Sequence, residues 1–110
     1  MATIVGVFHE ELEAEAVAEQ LQLNFDNADV AVVTDWRELM PEEDSPVEGI
    51  SGRLSLLGIS EEFAPEYAER ARRGEVLVVV RVSNDRLPTA QRLLRQAGPI
   101  DIDILPELKS

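Results

Sequence analysis

The apolar positions of this chain change period several times, and each change predicts an element. Ile4 to Phe8 is apolar throughout except at Gly6, as a strand covered on both sides or closely packed by a helix would be. From Glu10 the period becomes helical: Ala14, Val17, Ala18 and Leu21 share one face, and Glu11, Glu15, Glu19 and Gln22 take the others. Glu10, Glu11 and Glu13 suit the positive end of that helix dipole, and Asn24 suits a left-handed residue just past its end. Val30 to Val33, closed by Thr34 and Asp35, reads as a second strand. Pro41, Pro46, Gly49 and Gly52 then interrupt any period between Asp35 and Gly58, which predicts a long connection.

Ser60 is placed to cap a further helix, regular from about Pro65, with Phe63, Tyr67, Ala68 and Ala71 on one face. Glu66 with Arg70 and Glu69 with Arg73 form pairs one turn apart on its other side. Val76 to Val82 has almost no polar face and reads as a central strand. Ser83, Asn84 and Asp85 offer caps for a last helix, whose stripe is Leu87, Ala90, Leu93, Leu94 and Ala97 and which Gly98-Pro99 ends. Ile100 to Ile104 alternates strictly between Ile and Asp, so one face is expected buried and the other wet, as at a sheet edge.

The order is βαβ, an extra helix, and βαβ again. It predicts an α+β fold of ferredoxin-like arrangement, with residues 1–110 as a single domain. The first and third strands are central in a four-stranded antiparallel sheet, and the first and last helices cover one face. The extra helix lies in the connection between the second and third strands.

The net charge is −12, and it is uneven: 2 Arg against 15 Asp/Glu up to Glu62 (−13), and 8 Lys/Arg against 7 Asp/Glu beyond it (+1). Such a chain is repelled by phosphate backbones and anionic membrane surfaces, so no nucleic acid and no membrane is expected as a partner. An RNA-binding sheet would also need aromatic platforms, and Val76 to Val82 carries only aliphatics and Arg81. The opposite charges on the first and last helices predict Glu–Arg contacts between them, the last helix carrying Arg86, Arg92 and Arg95. No apolar run approaches the roughly 18 residues of a membrane span. Met1 to Phe8 lacks a basic leader, and a cytoplasmic location is expected. Cysteine is absent, which excludes disulfides, thiolate metal sites and a cysteine nucleophile.

Three blocks stand together: Val5-Gly6-Val7-Phe8 with the Glu/Ala-rich helix, Leu57-Gly58-Ile59-Ser60-Glu61-Glu62 with Tyr67, Arg73-Gly74 and Val76-Leu77-Val78, and Leu93-Leu94-Arg95 leading to Gly98. In them the chain resembles the bacterial heat-induced general stress protein domain family. The resemblance implies a stress-associated protein without catalytic residues. The chain departs from it in the short stretch Pro46 to Leu56, where relatives often carry a Gly/Ala-rich insertion, and in His9, where an Asp-like cap is expected.

The residues offer little chemistry. His9, the single histidine, pairs with Glu13 one turn on and would hold a divalent metal only if a third ligand such as Glu10 or a distant carboxylate joined. Glu42-Glu43-Asp44 lacks the spacing of a calcium loop. Gly49 to Arg53 could cradle an anion without matching a phosphate-loop motif, and Arg70, Arg72 and Arg73 are explained by a helix C-terminus. No catalytic residue, metal or cofactor is expected. Trp36, Arg53, Phe63 and Tyr67 mark the candidate ligand or partner surface.

The leading expectation is a non-catalytic stress-associated module acting through self-association or a protein partner. It would be a homodimer or small homo-oligomer joined by a sheet face or edge, because the sheet face away from the two helices needs a cover; the competing monomer places Trp36, Phe63 and Tyr67 over that face and closes the core within one chain. The alternatives are a small-molecule or anion sensor with a crevice near the long connection, and a cofactor-free ferredoxin-like enzyme.

Overall fold

The computed structural model describes residues 2–25, 29–33, 54, 59–60 and 62–105. Strand β1 (Ala2–Phe8) is followed by helix α1 (Glu11–Asn24), strand β2 (Asp29–Val33), helix α2 (Ala64–Arg72) and strand β3 (Val76–Val82). A short 3-10 turn (Asn84–Arg86), helix α3 (Leu87–Gln96) and strand β4 (Asp101–Leu105) complete the order. The strands form one sheet in the order β2-β3-β1-β4, and every neighbouring pair is antiparallel. The central positions of β1 and β3 explain why these two strands are the most continuously apolar: both faces of each are covered.

Strand alternation divides the core in two. Ile4, Phe8, Val78 and Val80 point to one face, where Ala14, Val17, Ala18 and Leu21 of α1 and Ala90 and Leu94 of α3 pack on them. Val5, Val7, Leu77 and Val79 point to the other, where Ala64, Tyr67, Ala68 and Ala71 of α2 join Leu54 and Ile59. The molecule is therefore layered as two helices, sheet and one helix. Gly6 belongs to the two-helix face. A Cβ there would lie 3.2 Å from both Leu94 Cδ2 and the Phe8 ring, so its missing side chain lets Leu94 sit down on the strand.

The second face overturns one premise of the sequence reading. It does not await a second protomer, because α2 covers it within one chain and leaves Val5, Val7, Leu77 and Val79 with at most 2% exposure.

Other corrections are local. Ser60 does not cap α2 with its hydroxyl. Its carbonyl accepts the amides of Phe63 and Ala64 instead, and its Oγ has no hydrogen-bond partner among the described residues. Asn24 is the last residue of α1 rather than a left-handed one beyond it, and its amide nitrogen donates to the Gln20 carbonyl at 2.7 Å. Left-handed backbone falls on Gly74 (φ 101°) and Gly98 (φ 76°), just past the ends of α2 and α3. No side chain caps α1, whose preceding residue is Glu10. Ile104 on the edge strand is 45% exposed, since β4 has a neighbour on one side only.

The expected Glu–Arg contacts between α1 and α3 are absent: among the described residues no ion pair joins the two helices. They do lie side by side on one face. Their seam is a groove of about 390 Å³ lined by Glu13, Ala16, Val17 and Gln20 of α1 and by Leu93, Gln96 and Ala97. Arg86, just before α3, lies over the Phe25 ring at the end of α1, 5.7 Å from its centroid. The end of one helix thus meets the start of the other, and the two run antiparallel. Arg92 and Arg95 are exposed and line a separate groove with Pro88, Gln91 and Gln96. They point outward from the layer, as do Glu15 and Glu19 of α1, while Glu13 lines the seam opposite Leu93, Gln96 and Ala97, so the charges do not meet.

Candidate functional site

Trp36 and Arg53 lie outside the described residues. The other two candidates, Phe63 and Tyr67, come together at α2. Phe63 is half-buried against the apolar cluster under that helix, and Tyr67 is 5% exposed. The tyrosine ring fills the core while its hydroxyl reaches the sheet edge, where it donates to Asp103 Oδ2 at 2.8 Å. A buried phenol needs such a partner.

The neighbouring turn of α2 repeats the arrangement with charge. Arg70 Nη1 donates to Asp101 Oδ2 at 3.0 Å, and its Nε donates to Glu75 Oε2 at 2.7 Å. Tyr67 and Arg70 are three residues apart on one helix face, and Asp101 and Asp103 are two apart on one strand face, so helix and strand present matched pairs. Asp101 is further oriented by the Ile102 amide, which donates to its Oδ1 at 2.9 Å. On the outer side of α2, Glu69 accepts from Arg72 and lies 3.7 Å from Arg73 Nε.

The face of β4 expected to be wet is therefore the strip that ties α2 to the sheet. Asp101, Asp103 and Glu75 were not candidates on sequence grounds. The available signal was the alternation of Ile and Asp together with Tyr67 and Arg70 at helical spacing, but joining the two requires the β1–β4 register, which sets Asp103 opposite Val5 and Asp101 opposite Val7.

Burial pushes the Tyr67 phenol above its ordinary value, and the Asp103 carboxylate adds to the shift through its hydrogen bond and its charge. The hydroxyl stays protonated as a donor. Burial opposes the charge on Arg70, but the hydrogen bonds to Glu75 and Asp101 outweigh it and raise its pKa. Glu69 is held below the usual carboxylate range by the Arg72 guanidinium. Among the described residues no group of three or more His, Asp or Glu side chains is placed to hold a metal ion, and His9 is exposed at the start of α1. No helix of the described residues is long and apolar enough to cross a membrane.

No family model, curated protein or solved structure matches this chain. The resemblance to the stress protein domain accordingly rests on its three sequence blocks alone.

Tyr67 gives the first testable consequence. A phenol whose pKa is raised by folding stabilises the protein below its unfolded-state pKa near 10.0, and that contribution is lost as pH rises through this value towards the higher folded one. Tyr67→Phe should lower stability by about 1–2 kcal/mol at neutral pH, the worth of a part-buried hydrogen bond to a carboxylate. It should also flatten the alkaline loss of stability by the share that ionisation of Tyr67 causes, because phenylalanine has no proton to lose. Urea denaturation across this pH range measures both effects. Tyr67 is the single tyrosine, so tyrosinate absorbance follows its titration directly. An unshifted titration would remove Asp103 and burial as its controls.

Proposed function

We propose that the chain is a non-catalytic module of the ferredoxin-like arrangement, acting through self-association or partner binding, in a stress-associated role implied by its three sequence blocks. The strand order, with β1 and β3 central, and the pairing of α1 with α3 on one face support this fold reading. One observation carries the functional reading. The polar groups around Phe63 and Tyr67 are already engaged in holding α2 to the sheet, whereas the α1/α3 layer leaves Leu12 and Leu23 of α1, each 77% exposed, and Arg92 and Arg95 of α3 open to solvent. Large apolar side chains presented together with charge suit a protein surface better than a small-molecule crevice.

Native mass spectrometry of freshly purified protein tests this reading. The expected result is a homodimer, a small homo-oligomer or a complex with a retained protein. A monomer carrying a stoichiometric small molecule would replace this reading by that of a sensor.

A further inference from the structure

We infer that the α1/α3 layer is a self-complementary dimer surface, and that its occupant is the same layer of a second copy of this chain. The inference rests on the self-association reading and assigns it a surface. On α1 the residues farthest from the sheet are Leu12, Ala16, Glu19 and Leu23, directly opposite the buried stripe Ala14, Val17, Ala18 and Leu21. Glu15 flanks them and is also exposed. On α3 the corresponding outer positions are Pro88, Arg92 and Arg95, opposite the buried Ala90 and Leu94. One helix thus presents leucines among glutamates, and its neighbour presents arginines with no ion-pair partner among the described residues.

A two-fold axis lying in the interface, along the seam between the helices, sets α1 of each protomer over α3 of the other. The same contact is then made twice, as an isologous interface requires. Glu15 and Glu19 of one copy meet Arg92 and Arg95 of its partner, and Leu12 and Leu23 leave water against the aliphatic stems of those arginines. The pairing that the two helices do not make among the described residues is made between copies. A parallel stacking that set α1 on α1 would oppose glutamate to glutamate, so charge selects the crossed arrangement. A layer about 21 Å long and about 20 Å wide buries on the order of 400 Å² per protomer, about half of what a standard stable interface buries per partner and the size of a weak, transient contact. The dimer is expected to dissociate in the micromolar range.

Sedimentation equilibrium over a micromolar concentration series tests the assignment. The wild-type chain should dimerise, and the double variant Arg92→Glu/Arg95→Glu should weaken the dimer on the order of 100-fold. Glu15→Lys/Glu19→Lys should do the same. All four positions are exposed, and circular dichroism checks that each variant keeps its fold. Mixed together, the two double variants regain complementary charge at both contacts and should form a heterodimer as tight as the wild type. A wild-type dimer insensitive to both charge reversals would overturn the surface while leaving self-association in place, through another region such as the β4 edge. A wild-type monomer throughout the series would overturn the dimer itself, and native mass spectrometry would then show whether a protein partner or a small molecule is retained in its place.

Discussion

Phe8→Ala should lower the stability of this protein by about 3–5 kcal/mol, the usual cost of deleting a fully buried aromatic ring. Phe8 has no exposed surface and ends β1 opposite Val76. Its ring lies in the cluster that α1 and α3 form on the sheet, in contact range of a Cβ placed at Gly6. Removing it withdraws apolar area and leaves a cavity beside a strand position that has no side chain to collapse into the space. For a domain whose total stability is about 5–15 kcal/mol, such a loss brings unfolding within reach of ordinary temperatures. Urea denaturation with an unchanged slope measures it. A cost below about 1 kcal/mol would mean that the two-helix face is not packed as described.

The second large effect lies on the other face. Leu77→Ala should cost about 2–5 kcal/mol, because Leu77 is fully buried among Val7, Val33 and the α2 residues Tyr67, Ala68 and Ala71. This measurement decides whether α2 is a true layer of the fold. Were the helix to leave the sheet in solution, Leu77 would face water, and its truncation would cost well under 1 kcal/mol. The ties from Tyr67 to Asp103 and from Arg70 to Asp101 add to the hold. The Arg70 pair is part-exposed and contributes about 1 kcal/mol or less, so the apolar contact under α2 is the dominant attachment. Loss of the apolar contact should therefore be felt more than loss of the salt bridge.

Most of the element order can be read from the chain without its fold. The periods over Ala14 to Leu21 and Ala90 to Ala97, and the unbroken run Val76 to Val82, each record which sides of an element have apolar neighbours. Gly74 and Gly98 stand where the backbone turns left-handed, a requirement local to one residue. The central places of β1 and β3 follow from the same information, since a strand apolar on both sides must have cover on both.

Tertiary structure alone settles what each face meets. The apolar stripe of α2 announces burial but not against which side of the sheet, and the second core forms only because the chain brings that helix across the face opposite α1 and α3. Asp101 and Asp103 look like the wet side of an edge strand until register places them beside Arg70 and Tyr67. Glu and Arg on neighbouring helices look like partners until their positions on the two-helix layer separate them. Periodicity reports the environment one residue experiences, apolar or aqueous, whereas the identity of the neighbour depends on contacts between residues distant in the chain, which no local pattern encodes.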